Sequence, residues 1–167
     1  CDTLYFIESG VNMTIIRPAT NDDLDLLMEL AAAMHAESPR YSKLEFSAEK
    51  MANLFVNLIQ REQSFILVVE RDNILVGMIC AIISEHFFSH DLIATDLLIF
   101  ITPEHRGGAL AKSLINMYIA WAKENGAKLI QLGVSTGIHA DRTTKLYESI
   151  GLQQCSIGFE VAECVQA

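Results

Sequence analysis

Three apolar segments rich in branched residues follow one another between Ser64 and Thr102, and this run restricts the fold more than any other feature. The turn-like RDN separates SFILVVE from ILVGMICAIISEHF, which is typical of an antiparallel hairpin. The third segment, LIATDLLIFIT, is nearly continuous in apolar residues, which predicts a strand buried on both faces. Pro103 ends this strand because proline cannot donate a hydrogen bond to a sheet ladder.

The rest of the chain alternates between strand and helix patterns. A short strand, TIIR, and two helices precede the three segments. After them come a helix that ends near Asn125, a strand over Lys128–Val134, a helix over His139–Ile150 and a last strand or hairpin over Leu152–Ala162. This order predicts an α/β chain with a central mixed, mostly antiparallel sheet and helices on both of its faces.

The length of 167 residues fits one domain, since 51% hydrophobic residues suffice for a single core. A strand pattern begins directly after Met13, a plausible initiator. We therefore interpret residues 1–12 as an N-terminal extension or an expression remnant and residues 13–167 as one domain. No apolar run reaches the roughly 18–20 residues of a membrane-spanning helix, and the scattered cysteines indicate reduced thiols. We expect a cytoplasmic protein without a membrane partner.

The charge balance limits the class of partner. Twenty-one acidic against twelve basic residues give a formal charge of minus nine, which disfavours nucleic acid. An acidic surface attracts cations, so an amine or a lysine side chain suits it better than a phosphate polymer.

The stretch T-P-E-H-R-G-G-A-L-A-K-S-L joins the third strand to a long amphipathic helix and predicts an anion-binding loop. A helix start offers unpaired N–H groups, and Gly107 and Gly108 allow a ligand to approach the backbone. Arg106 and Lys112 add positive charge. An ordinary turn with a solvated Arg106 is an equal alternative. A nucleotide-binding P-loop is disfavoured, because position 111 is alanine where that motif needs glycine.

From Arg106 to Ala111 the sequence R-G-G-A-L-A resembles R/Q-x-x-G-x-G/A, the coenzyme A signature of the GNAT superfamily of N-acetyltransferases. T-T-K-L-Y-E-S-I-G-L, from Thr143 to Leu152, resembles the family's second motif, A-x-x-L/F-Y-x-x-x-G-F. The resemblance extends from Thr14 to about Ala162. It implies the GNAT fold and acetyl-CoA as co-substrate.

The resemblance also implies which residues bind coenzyme A. In the family the pantetheine arm pairs like an added strand with the strand before the loop, and the pyrophosphate lies at the start of the following helix. The residues expected to bind the coenzyme are therefore Phe100, Ile101, Thr102, Arg106, Gly107, Gly108, Ala109, Leu110, Ala111 and Lys112.

Two residues are predicted to be catalytic. The resemblance implies that Tyr147 gives a proton to the departing thiolate, although a tyrosine on an amphipathic helix is often only a packing residue. Asp96 is the leading general base, because a carboxylate in an apolar strand should have a raised pKa. Family members often place a glutamate one residue later, at Leu97, and a structural role for Asp96 is equally weighted. Other candidate bases are Glu85, His86, His105 and a bulk-water relay.

The amine is expected to enter beside the loop over residues 37–46. Glu37, Tyr41 and Phe87 would form an acidic, aromatic mouth, although a solvated loop face is at least as plausible. The predicted function is N-acetylation of a small-molecule or protein primary amine by direct attack. A non-catalytic acyl-CoA-binding or regulatory module is the alternative, and acetylation of aminoacyl-tRNA is disfavoured by the charge. A homodimer is possible. His86 and His90 lack a third ligand at useful spacing, so a metal is not expected.

Overall fold

The structure, a computed structural model, describes residues 5–9 and 12–161, with side chains from Thr14 onward. Over these residues the chain forms six strands and four α-helices. In chain order they are β1 (Tyr5–Ser9), β2 (Asn12–Pro18), α1 (Leu24–Glu37), α2 (Ala48–Gln60), β3 (Ser64–Arg71), β4 (Ile74–His86), β5 (Ser89–Ile101), α3 (Gly108–Glu124), β6 (Leu129–Gln131) and α4 (Ala140–Ser149).

The six strands form one open sheet in the order β1-β2-β3-β4-β5-β6. Every neighbouring pair is antiparallel except β5 and β6, which run parallel. A parallel pair needs a crossover connection, and α3 provides it. The mixed, mostly antiparallel sheet predicted from the sequence is therefore confirmed.

Two apolar clusters lie on opposite faces of the sheet. On one face α1 and α2 pack through Leu27 and Phe55 against Met78 of β4. On the other face α3 packs through Leu114 against Ile79, the next residue of β4. Successive side chains of a strand point to opposite faces, so the alternation along β4 builds both clusters. The prediction of helices on both faces is confirmed.

A β-bulge interrupts the pairing of β5 with β4. Ala81 pairs with Asp96 while Cys80 pairs with Leu98, so Leu97 is the extra residue. The bulge shifts the alternation by one residue. Ala94 before it and Ile99 after it therefore pack in the same cluster, on the face covered by α3.

The strand β6 leaves β5 early. It pairs only with Ile93–Thr95 of β5, and its own residues are Leu129–Gln131. Beyond this point no strand of the described residues lies beside the edge of β5 that faces away from β4. The sheet therefore splits between β5 and β6, on the side toward the end of β5.

The structure bears on two expectations at the chain ends. The last strand predicted over Leu152–Ala162 is wrong for residues 152–161, where the structure has no strand, and Ala162 lies outside the described residues. Ile157 and Phe159 are exposed there, because no neighbouring strand covers them. At the other end β1 pairs with β2, so part of the segment interpreted as an extension adds a strand to the sheet. Whether residues 1–12 belong to the native domain stays a prediction. Among the described residues, no helix is long and apolar enough to cross a membrane.

Candidate active site

A cavity of about 210 Å³ opens where the sheet splits. Its walls come from α1, the end of β5, the start of α3, the loop after β6 and one face of α4. The lining surface is mostly apolar, and eight of the seventeen lining residues have apolar side chains: Met34, Ile99, Phe100, Ile101, Ala111, Ile115, Ile138 and Leu146. The remaining lining residues are Glu37, Arg106, Gly107, Gly108, Thr136, His139, Arg142, Thr143 and Tyr147. Arg106 of the first sequence motif and Tyr147 of the second, 41 positions apart, thus line one cavity.

The unpaired edge of β5 forms one side of this cavity. Phe100 and Ile101 line it, as the sequence predicted, whereas Thr102 does not. The backbone N–H of Thr102 donates to the carbonyl of Val76 (2.9 Å), on the side of β4. The carbonyl of Ile101 accepts from Nε of Arg106 (2.9 Å). An extended ligand can still lie along this edge, because β6 does not cover it.

The glycine loop is open to the cavity. An added Cβ at Gly107 would meet no protein atom within 4 Å, and the φ of −162° there is an extended conformation open to any residue. Neither packing nor backbone geometry therefore requires glycine at this position. A ligand that approaches the backbone would require it, and the first N–H groups of α3 begin at this point.

The other loop residues predicted to bind the coenzyme differ in position. Ala111 lines the cavity, but Ala109, Leu110 and Lys112 do not. Leu110 is buried in the cluster under α3, and the side chain of Lys112 is exposed. Helical periodicity explains the separation, because neighbouring residues of a helix point in different directions.

Tyr147 reaches the cavity from α4 and is 8% exposed. Its hydroxyl donates to the carbonyl of Gly133, in the loop after β6 (3.2 Å). Burial raises the pKa of Tyr147 to about 12, and the negative charge of Asp96 contributes. The hydroxyl is therefore protonated at neutral pH and can act as a proton donor.

Asp96 contacts the backbone N–H of the same glycine. Its Oδ1 accepts a hydrogen bond from the N–H of Gly133 (2.9 Å). Burial raises the pKa of this carboxyl above its usual range, in part against the effect of that hydrogen bond. Asp96 does not line the cavity, although its charge acts on Tyr147. The bulge at Leu97 allows Asp96 to face Gly133 even though it stands one residue earlier than the family's usual position.

Glu37 and Arg106, predicted for different roles, form an ion pair. Nη1 of Arg106 donates to Oε1 of Glu37 (2.6 Å), and Nη2 donates to Oε2. The guanidinium holds the pKa of the Glu37 carboxyl below its usual range. Both residues line the cavity. The end of α1 is thus tied to the loop after β5.

The other two residues of the predicted substrate mouth lie away from the cavity. Tyr41 does not line it; its hydroxyl is hydrogen-bonded to Oγ of Ser135 (2.7 Å). Phe87 lies before the start of β5 and is 89% exposed. At about 3.3 Å per residue, the twelve residues to Ile99 place it on the order of 30–40 Å from the cavity. The structure therefore does not bring Tyr41 and Phe87 together with Glu37.

The alternative bases also lie outside the cavity lining. Oε2 of Glu85 lies 3.1 Å from Nδ1 of His90, near the turn between β4 and β5. Nδ1 of His105 is hydrogen-bonded to Oγ1 of Thr102 (2.9 Å). Within the part of the chain that the structure describes, no three His, Cys, Asp or Glu side chains are grouped as a metal site would need.

Arg142 and Thr143 line the cavity but were not among the residues predicted from the sequence to bind a ligand. The helical spacing of α4 could have identified them, because Arg142 precedes Leu146 by four residues and Thr143 precedes Tyr147 by four. Residues at that spacing share a helix face, so two residues of the motif point to two further cavity residues.

Residues 28–152 match the model of the acetyltransferase (GNAT) family. The chain belongs to the GNAT family. The match includes both the Gly107 loop and Tyr147, and it confirms the resemblance found in the sequence. Over 143 residues the chain is 27% identical to an uncharacterised N-acetyltransferase from Methanocaldococcus jannaschii. The aligned region covers 83% of this chain and 60% of that relative, so this GNAT chain spans about three fifths of the relative's length.

Several solved structures share the fold of this chain. The aminoglycoside N-acetyltransferase AAC(6')-Iy in complex with CoA has a TM-score of 0.73 at 15% identity, over 95% of this chain and all of that one. The enzyme AAC(6')-Ih from Acinetobacter baumannii has a TM-score of 0.69 at 15% identity, over 92% and 99%. A structure named as a transcriptional regulator from Bacillus halodurans C-125 has a TM-score of 0.71 at 21% identity, over 90% and 99%. At such identities the likeness establishes the fold and leaves the reaction to be argued from the site.

Proposed function

We propose that this GNAT protein is an N-acetyltransferase that moves the acetyl group of acetyl-CoA to a primary amine by direct attack. The observation that carries the proposal is the single cavity lined both by the Gly107 loop and by Tyr147. The start of α3 offers backbone N–H groups to an anion, and α4 offers a protonated hydroxyl.

The coenzyme would be held by backbone more than by side chains. Its pyrophosphate fits the start of α3 at Gly107 and Gly108, and its pantetheine arm fits the unpaired edge of β5 beside Phe100 and Ile101. The apolar lining suits the methyl and methylene groups of the arm. When bound, acetyl-CoA supplies an acetyl group activated as a thioester.

The proposed reaction needs two proton transfers. Asp96 accepts a proton from the substrate ammonium, through a water molecule because its carboxylate does not line the cavity. The amine nitrogen then bonds to the acetyl carbon as the carbon–sulfur bond breaks. Tyr147 gives its proton to the sulfur, and the second proton lost by the nitrogen restores the tyrosine. One proton is released for each amide and free coenzyme A formed.

The proposed substrate class rests on the charge of the chain and on the names of similar solved structures. The formal charge of minus nine attracts ammonium groups and repels polyanions. Two of the similar structures are named as aminoglycoside acetyltransferases, so aminoglycosides are the first small-molecule amines to examine, with lysine peptides beside them. A cytoplasmic location and a homodimer stay predictions from the sequence.

Two measurements test the proposal. Calorimetric titration with acetyl-CoA and with coenzyme A should show binding in the micromolar range, and absence of both would overturn it. Release of free thiol from acetyl-CoA, followed colorimetrically with a panel of amines, should show turnover with at least one amine. Binding of acetyl-CoA without thiol release for any amine would support the non-catalytic acyl-CoA-binding module instead.

A further inference from the structure

Two arginines line the cavity, and they differ in what they contact. Arg106 uses Nε on the carbonyl of Ile101 and both terminal nitrogens on Glu37. Its guanidinium also lies 5.6 Å from the centre of the Phe100 ring. Phe100 packs in the cluster under α1 and α2, whereas α3 covers the opposite face. Arg106 therefore ties the end of β5 to α1, and Glu37 neutralises its charge.

Arg142 has no such partner. Its side chain makes no ion pair and no hydrogen bond with any residue that the structure describes. It lies in the first turn of α4, is exposed, and lines the cavity. Its charge is therefore available to a ligand at no cost in broken contacts.

The position of Arg142 places it near the glycine loop. Leu146, four residues later on the same face of α4, has its Cδ1 4.0 Å from where a Cβ of Gly108 would stand. Helical side chains lean toward the N-terminus of their helix, so Arg142 extends along this face beyond Leu146. The face of α4 that carries the free arginine thus packs beside the start of α3.

We propose that Arg142, and not Arg106, supplies the positive charge that binds a phosphate group of coenzyme A. Arg106 and Glu37 are then positioning residues that hold the cavity wall. This inference rests on the proposed function, because it assumes that coenzyme A is the ligand. If Arg106 bound a phosphate, the partly buried carboxylate of Glu37 would lose its partner, which costs free energy. Arg142 can bind a phosphate without breaking such a contact.

Calorimetric titration of four proteins tests the proposal: the wild type, Arg142→Gln, Arg106→Gln and Lys145→Gln. Lys145→Gln is the matched control. It removes one positive charge from the same helix, and Lys145 does not line the cavity. Each protein is titrated with coenzyme A and with pantetheine, which lacks the phosphates. The affinity for coenzyme A divided by the affinity for pantetheine isolates the phosphate contribution from any general damage to the cavity.

Arg142→Gln should lower the ratio about tenfold or more and reduce the effect of added salt on coenzyme A affinity, with the melting temperature unchanged. Arg106→Gln should lower the melting temperature and weaken both ligands in proportion. A ratio that falls in Arg106→Gln and stays at the wild-type value in Arg142→Gln would overturn the inference. An equal fall in Lys145→Gln would also overturn it, because the effect would then be general electrostatics.

The same series separates this inference from the proposed function. If the wild type binds neither coenzyme A nor pantetheine, the proposed function fails. If it binds coenzyme A and Arg142→Gln binds equally well, only the inference fails. Dephospho-coenzyme A identifies the phosphate: a defect that disappears with this ligand assigns Arg142 to the 3′-phosphate, and one that persists assigns it to the pyrophosphate.

Discussion

Replacing Tyr147 by Phe removes one hydroxyl from the cavity and keeps the ring. The lost contact is the hydrogen bond to the carbonyl of Gly133 (3.2 Å), which should cost about 0.5–1.5 kcal/mol of unfolding free energy. For a chain of this size that corresponds to a fall in melting temperature of about 2–5 °C. The catalytic effect should be larger. Loss of a proton donor typically lowers the rate by a factor of about 10²–10⁴, so we expect kcat to fall at least about 100-fold.

Tyr118→Phe is the matched control for this change. Tyr118 is fully buried, does not line the cavity, and donates its hydroxyl to the carbonyl of Gln131 (3.0 Å). The two variants therefore lose the same kind of hydrogen bond to neighbouring backbone carbonyls. Similar stability losses are expected from both, and a large fall in kcat only from Tyr147→Phe.

The assay is thiol release from acetyl-CoA between pH 6 and 10, with melting temperatures measured in parallel. Because burial holds the pKa of Tyr147 at about 12, its proton is present throughout this range, and the loss in kcat should not depend on pH. Equal rates for Tyr147→Phe and wild type would refute the role of Tyr147 as proton donor. Equal losses in the two phenylalanine variants would attribute the effect to the position of the loop.

Three further predictions follow from single residues. Gly107→Ala should leave the melting temperature unchanged or slightly raised but weaken coenzyme A binding measured by calorimetry, because the added Cβ meets only the ligand. Asp96→Asn should lower kcat about 100-fold. At pH 7 the variant should be as stable as the wild type or up to about 1 kcal/mol more stable in urea unfolding. The reason is that burial raises the pKa of the native carboxyl, so its charged form opposes folding as the pH rises. Asp23→Asn should lower the free energy of unfolding by about 1–3 kcal/mol at pH 7, measured by urea unfolding, because the variant loses the ion pair with Arg17. Arg17 lowers the pKa of Asp23, so in the wild type this stabilisation is present above about pH 4 and is lost as the pH falls through the lowered pKa.

Much of the fold was predictable because it depends on local patterns. The three apolar segments after Ser64 became β3, β4 and β5, and the amphipathic pattern after Gly107 became α3. Strand and helix periods are properties of neighbouring residues, so a single sequence reveals them. The last strand was predicted from the same kind of pattern and is absent over residues 152–161, since a strand also needs a partner that the pattern does not specify.

The candidate site was predictable only where it coincides with a motif. The Gly107 loop and Tyr147 were found from their spacing, and both line the cavity. The bond between Arg106 and Glu37 joins residues 69 positions apart, and no local pattern indicates such a pairing. The sequence assigned Arg106 to the coenzyme and Glu37 to the substrate because it could not show that each contacts the other.

The bulge at Leu97 shows how one unpredicted residue changes a functional argument. Counted along a regular strand, Asp96 is one residue out of step with the family's usual position, which would turn its side chain to the opposite face. The extra residue restores the face, so Asp96 reaches the N–H of Gly133. Bulges commonly re-aim side chains near active sites, and this one does so at the point where β6 leaves β5.

Gly133 explains why the two candidate catalytic groups belong together. Its N–H binds Asp96 and its carbonyl accepts from Tyr147, so one residue links a strand of the sheet to α4. The strand β6 ends at Gln131, and the backbone beyond it has no ladder to hold it. Together with the hydrogen bond between Tyr41 and Ser135, these two side-chain hydrogen bonds position the loop that closes the cavity. The short β6 leaves the edge of β5 open for a ligand, and the same shortness makes the loop depend on side-chain hydrogen bonds, among them those of Asp96 and Tyr147. The architecture of the site and its proposed chemistry therefore share these two residues.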